Sequence, residues 1–398
     1  MPSFCLKSLF TQLPAQIKNL GLTALMVTTL PFMASSTAHA ESGVNDNRIL
    51  LGQSAAFSGP AAQLGIQLHT GAKVYFDALN DRGGIHGRKI EIITADDKYE
   101  PELAAWNTKK LIETNDVFAL FGYVGTPTSN AALPIFTKAK VPFFAPFTGA
   151  QSLREPFSRE IFHIRSSYND ETEHLVRGLV KNGMKNIAVF YQDDAYGKAG
   201  LAGVERALKL FNLPMPVTAT VMRNSTDVKA AVNKILPSKP DAIIQVSTYT
   251  TCAAFVQAMR SSNYMGLFYN LSFVGSQALA DALGDAGAGT IISQVVPFPW
   301  GQGTPVVAEF HKAMKKAGKE KDINFSSLEG YLAAKIFTEG LRRTGRDLTR
   351  QRFIRALETI DSNDYDAGGF TVHFSPTNHN GSRFVDMTAI SKNNKFSH

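Results

Sequence analysis

Cysteine is nearly missing from this chain: 398 residues carry two, Cys5 and Cys252. A disulfide framework is therefore excluded, and a chain of this length can bury enough apolar surface without one. The nine histidines are dispersed, with no pair at i, i+4 and no Cys-His grouping, so a zinc site has no support. Low-complexity tracts and short repeats are absent. The formal charge of +7 is spread along the chain, as at Lys109–Lys110, Lys315–Lys319 and Arg342–Arg343. Neither a basic track interleaved with aromatics nor a recognition module is present, which excludes nucleic acid as a partner. The longest apolar stretch, Leu20 to Met33, is too short to span a bilayer.

That stretch has a different meaning. Residues 1–20 contain Lys7 and Lys18 and no acids, the apolar run follows, and Ala38-His39-Ala40 places small residues at −3 and −1 of a cleavage site. This is the layout of a secretory signal peptide over 1–40, with an attached amphipathic anchor helix as the alternative. Cys5 has no small-residue lipidation box around it. The expected mature protein begins near Glu41, in the periplasm, as a monomer not embedded in the membrane. Its 358 residues (398 − 40) keep Cys252 alone and a net charge of +5 (+7 less two lysines).

The mature chain alternates strands and helices. The runs Asn186–Tyr191 and Ala242–Ser247, with near-continuous apolar stretches IAVFY and AIIQV, read as strands buried on both faces. Others lie at Ile49–Ala55, Lys89–Ala95, Val117–Phe121, Val141–Ala145, Ile161–Arg165, Pro216–Val221, Leu267–Asn270 and Thr290–Val295. Helical patterns separate them, for example Pro101–Thr114, Asp170–Lys181, Gly197–Leu210 and Cys252–Ser261. Such alternation predicts parallel sheets covered by helices on both faces. After Pro297–Trp300 the order breaks into three helical patterns, Pro305–Lys316, Ser327–Thr344 and Thr349–Ile360, then strand-like Phe370–Phe374 and Met387–Ser391.

No constellation supports an enzyme. Gly52–Ala56 lacks the second glycine of a nucleophile elbow. Gly122–Thr126 has no lysine for a phosphate-binding loop. The acids Asp96–Asp97 and Asp193–Asp194 stand just after strands, where carboxylates form turns and cap helices. Binding is better served. The first strand ends in a small-residue loop, Ala56 to Pro60, that includes Phe57 and Ser58, and open α/β sheets take ligands at such carboxyl ends. Gly122–Ser129 holds Tyr123, Gly125 and Thr126; Thr126 or Thr128 is placed to cap the next helix, whose N-terminus attracts a carboxylate. Ala145–Ala150 supplies Phe147, Thr148 and Gly149.

SGPAAQLG (58–65), GGIHGRKIE (83–91) and DDKYEP (96–101) resemble the opening of type I periplasmic solute-binding proteins, specifically the branched-chain amino acid-binding branch serving ABC importers. The resemblance extends over almost all of the mature chain. It implies an α/β protein of two doubly wound Rossmann-like lobes, joined by a multi-strand hinge around a ligand cleft, without cofactor or metal. It places 46–165 plus 298–366 in the first lobe and 166–297 plus 367–398 in the second. It also implies the partners: a small ligand, and either permease subunits or a membrane sensor. In such proteins the two loops of the first lobe hold a ligand carboxylate; Thr126 matches the first hydroxyl position, while Thr148 and Gly149 share the second. Asp193–Gly197 matches the D-x-x-Y-G turn, laying Tyr196 on the ligand, and Tyr249 matches a further cleft aromatic. Two positions depart. Ser272 stands where relatives pair an acid with the ligand ammonium, and Leu64 replaces an aromatic. A neutral hydroxyl cannot balance a buried cation, so the residues favour a carboxylate or amide lacking an ammonium over a free α-amino acid.

Overall fold

The computed structural model of the protein describes residues 41–301, 303–361 and 363–397. The expected signal peptide lies outside the described residues. Strand β1 (Arg48–Ala55), helix α1 (Ala62–Asn80), β2 (Lys89–Asp96), α2 (Pro101–Glu113), β3 (Ala119–Phe121), α3 (Thr126–Ala139), β4 (Phe143–Phe144) and β5 (Ile161–Phe162) come first. They form a wholly parallel sheet in the order β2-β1-β3-β4-β5. After residues 163–167 follow α4 (Tyr168–Lys181), β6 (Ile187–Gln192), α5 (Ala195–Leu210), β7 (Val217–Val221), α6 (Lys229–Ile235), β8 (Ala242–Val246), α7 (Tyr249–Ser261), β9 (Leu267–Asn270), α8 (Ser276–Leu283) and β10 (Ile291–Gln294). Helices α9 (Pro305–Lys316), α10 (Phe325–Thr344) and α11 (Arg350–Leu357) come next, then β11 (Asp386–Ile390) and β12 (Phe396–Ser397). The second sheet runs β12-β11-β10-β9-β8-β6-β7, parallel from β10 to β7 and antiparallel at β11 and β12.

Local chemistry sets the element ends. Ser167 and Asp170 form a capping box on α4, and Asn324 and Ser327 do the same on α10, each satisfying orphan N–H groups of the first turn. Asp194 caps α5 through Tyr196 N and Gly197 N. Helices α1 and α10 can touch backbone to backbone because Gly71 and Gly330 face the contact. A Cβ on Gly71 would sit 1.7 Å from the Ser327 carbonyl oxygen, and one on Gly330 1.9 Å from that of Leu68.

Although α9–α11 follow the second sheet in sequence, they cover the first. Phe310, Leu328, Phe337 and Phe353 bury with Ile49, Leu51, Phe121 and Phe144 in one core. The segment 367–398 is divided between the lobes. Ala367, Phe370, Val372 and Phe374 bury in that first core, whereas β11 pairs with β10 of the second sheet. Phe370–Phe374 forms no named strand; its alternating apolar residues reflect burial against the core, with a single bridge, Asp366 to Thr371. The chain thus passes between the sheets three times, at 163–167, between β10 and α9, and at 375–385.

Candidate functional site

The carboxyl ends of the two sheets carry the loops that face one another. On the first wall, Asp96 organises the loop after β1. Its Oδ1 accepts from Phe57 N (2.9 Å), Ser58 N (3.3 Å) and Lys98 N (2.9 Å), and Ser58 Oγ donates to Oδ2. Burial works to raise this carboxyl, but the bonds outweigh it and hold Asp96 below the ordinary carboxylate range. Asp97 is buried and accepts from Ser54 Oγ (2.7 Å) and Tyr99 N (2.9 Å); burial pushes it up to about 7. Both acids are turn formers, as residues after a strand usually are.

The turn they build holds Tyr99 at φ +64°, fully buried, with its hydroxyl accepting from Gln192 Nε2 of the second lobe at 3.1 Å. Gly125 makes room for that ring. It has φ +101°, and a Cβ there would lie 2.2 Å from Tyr99 Cε2. Helix α3 begins at the next residue without a side-chain cap. Thr128 does not cap it, because its hydroxyl donates back to the carbonyls of Val124 and Gly125. Thr126 instead meets Thr148, hydroxyl to hydroxyl at 2.7 Å. Thr148 Oγ1 donates to the Tyr168 hydroxyl (3.2 Å) and accepts from Ala150 N (3.2 Å).

On the second wall, Asp194 accepts from Tyr196 N (2.9 Å) and so fixes Tyr196 at the start of α5. The Tyr196 ring packs on Phe273 (4.5 Å between centroids) and Tyr168 (5.3 Å), and its buried hydroxyl has no hydrogen-bond partner among the described residues. Ser272 donates to Glu171 from its N–H (2.8 Å) and its hydroxyl (3.1 Å), and Ser293 Oγ adds a third bond at 2.6 Å. The sequence suggested a second wall with no acid near Ser272. The structure brings one there, because the first turn of α4 packs against the loop after β9, 101 residues further on. Burial lifts Glu171 above the ordinary carboxylate range, while Arg165 and the serine bonds pull the other way.

Arg165 stands at the first crossing. Its Nε and Nη2 donate to Glu329 of α10, both at 2.8 Å, and its guanidinium lies 4.2 Å from the Phe147 ring centre. Nη1 is buried without a hydrogen-bond partner among the described residues. Burial alone would lower Arg165, but Glu329 holds it above its ordinary value.

The walls touch. Phe147 and Tyr99 reach Phe273 at 5.6 and 6.0 Å between ring centres. At the rim, Arg223 binds Glu100 at 2.7 Å, Asn224 Nδ2 donates to the same carboxylate at 2.8 Å, and the Tyr249 hydroxyl accepts from Gln63 N at 3.4 Å. Leu64 packs beside Gly275, where a Cβ would lie 2.5 Å from its Cδ2.

Of the residues singled out in the sequence, Thr126, Phe147, Thr148, Gly149, Tyr196 and Ser272 gather at the meeting of the walls. Leu64, Gly125 and Tyr249 border it. Phe57 is half-buried, edge-on to His69, and Ser58 is exposed and spent on Asp96. Tyr123 is not brought to the site: it packs on Phe143 (4.9 Å) in a separate core with Leu111 and Phe136, its hydroxyl 3.0 Å from that of Thr108. After β3, its side chain points to the opposite face of the sheet. Sequence reasoning missed Tyr99, Tyr168 and Glu171. DDKYEP contains Tyr99, but nothing local signals that its ring crosses to Gln192.

Two largely parallel sheets with facing carboxyl ends and three chain crossings define a type I periplasmic binding protein fold. A family model described as periplasmic binding protein matches residues 48–395, and the chain belongs to that family. Leu/Ile/Val-binding protein homolog 7 of Brucella suis biovar 1 (strain 1330) is 26% identical over 336 residues, covering 79% of this chain and 81% of that protein. The crystal structure of a possible leucine/isoleucine/valine-binding protein from Rhodopirellula baltica SH 1 superposes with a TM-score of 0.84 at 31% identity, over 91% of this chain and 98% of that one. A substrate-binding periplasmic protein from Ralstonia solanacearum gives 0.81 at 33% identity, over 87% and 99%. The family places the protein outside the cytoplasm and is a family of binding proteins. Among the described residues no helix is long and apolar enough to cross a membrane, and no group of three His, Cys, Asp or Glu could hold a metal.

Proposed function

We propose that the protein captures a small organic solute bearing a carboxylate or amide, and no ammonium, between the Thr126–Thr148 wall and the Tyr196–Phe273 wall, and presents it to an ABC transporter. The observation that carries this reading is the hydroxyl cluster. Thr126, Thr148 and Tyr168 converge at the uncapped start of α3, and the Tyr168 ring packs on that of Tyr196, whose hydroxyl has no partner among the described residues. Hydroxyls beside a helix N-terminus suit an anionic or acceptor-rich group, and the rings suit an apolar remainder. Glu171 adds an acid to the second wall, but its oxygens already accept three hydrogen bonds from Ser272 and Ser293 and lie in the field of Arg165. It is therefore poorly placed to neutralise a second cation.

A calorimetric comparison of leucine with 4-methylpentanoate, its counterpart without the amino group, tests the ligand class. The carboxylate is expected to bind at least about tenfold more tightly, a difference of about 1.4 kcal/mol. Tighter binding of leucine would sink the reading.

A further inference from the structure

Away from the meeting of the walls, a concavity of about 470 Å³ opens where the first and third crossings run side by side. It is lined from both lobes and from the crossings themselves: Arg154 from the first, Asn169, Asp170 and Arg206 from the second, Asn380 and Arg383 from the third crossing. The turn at Ser167–Glu171 serves both places. Tyr168 and Glu171 face the cleft, whereas Asn169 and Asp170 line this crevice.

Its charges are unevenly matched. Arg383 pairs with Asp170 (2.9 Å) and Arg206 with Glu173 (3.1 Å), both with partly exposed side chains. Arg154 is different. It is 6% exposed, and its Nη1 and Nη2 donate to the Asn380 side chain (2.6 Å) and to the carbonyls of Arg165 (3.0 Å) and Ser166 (3.3 Å). Among the described residues its Nε has no hydrogen-bond partner and no carboxylate stands within ion-pair distance of it. Glu155, the other acid of the lining, makes no ion pair with it. A buried guanidinium with no directly paired carboxylate is costly; Asp170 and Glu171 act on Arg154 only from beyond ion-pair distance, and the group stands in the wall of a polar crevice with two more arginines on the rim. We infer that this hinge crevice is a binding site for a small oxyanion, a phosphate or carboxylate group held by Arg154, Arg206 and Arg383. Guanidinium groups suit both oxyanions through paired N–H donors. Because Arg154 ties the first crossing to the third, an occupant would brace the hinge rather than compete with the solute.

Calorimetric titration of the whole protein with inorganic phosphate and, separately, succinate tests this at fixed ionic strength. At least one is expected to bind, identifying phosphate or carboxylate as the source. The double variant R206A/R383A, altered only at exposed side chains, is expected to bind at least tenfold more weakly, and the cleft variant Thr148→Val to bind as the wild type does. R154Q should behave as R206A/R383A does, and circular dichroism checks that it folds. The inference is overturned if neither anion binds, if R206A/R383A binds unchanged, or if Thr148→Val abolishes binding, which would put the anion in the solute cleft.

Discussion

Replacing Glu329 by glutamine is the most informative change to the hinge, because it keeps the side chain's size and removes its charge. Arg165 and Glu329 side chains are 1% and 5% exposed, joined by two parallel bonds of 2.8 Å. Two unit charges about 4 Å apart interact by roughly 4 kcal/mol at an effective dielectric of about 20. Removing one member of such a buried pair generally costs about 3–5 kcal/mol, since the other charge is left without compensation. Glu171 is close enough to Arg165 to soften the loss, which places E329Q near the lower figure, about 3 kcal/mol. At roughly 2–3 °C per kcal/mol for a large domain, thermal denaturation followed by circular dichroism should show a melting point lower by about 6–9 °C. The double variant R165M/E329Q should recover most of that loss, because no guanidinium is then buried alone and Glu171, already raised by burial, can take up a proton. A cost below about 1 kcal/mol for E329Q, or additive costs in the double variant, would refute the reasoning.

Gly125→Ala should destabilise the protein by about 1–3 kcal/mol from its left-handed backbone alone. It should also weaken solute binding, because the new Cβ displaces Tyr99; a denaturation curve and a titration check the two effects. Asp97 has a folded-state value of about 7, raised by burial from 3.8. Between those values the native state binds more protons than the unfolded one, so this group makes stability fall as pH rises from about 4 to about 7 and leaves it level above. Asp97→Asn should flatten that slope and raise stability at pH 8 by roughly 1 kcal/mol or more, read from urea midpoints at pH 5 and 8.

Much of the fold was legible because the sequence is locally consistent. The runs Asn186–Tyr191 and Ala242–Ser247 match strands β6 and β8 to within a residue at each end, Leu267–Asn270 is β9 as read, and Pro305–Lys316 is α9 as read. The β4 and β5 strands are shorter than their apolar runs, since only two residues of each pair before the chain turns away. The site was only partly legible, for a physical reason. Thr126, Thr148 and Tyr196 lie in the loops and helix starts that follow strands β3, β4 and β6, where a βα pattern alone marks a ligand-facing region. Tyr99 and Glu171 act across the two lobes, and no local period records which distant segment a side chain meets. Tyr123 misled for the complementary reason: one residue along a strand end reverses the face a side chain points to.

The walls themselves can be tested with one titration series, in which 4-methylpentanoate is added to the wild type and to Thr148→Val and Tyr196→Phe, each shown by circular dichroism to be folded. If the solute lies between the hydroxyl cluster and the Tyr196 hydroxyl, each variant loses a hydrogen-bonding group from a buried contact, and affinity should fall about tenfold, on the order of 1–2 kcal/mol. Wild-type affinity in both variants would place the solute elsewhere.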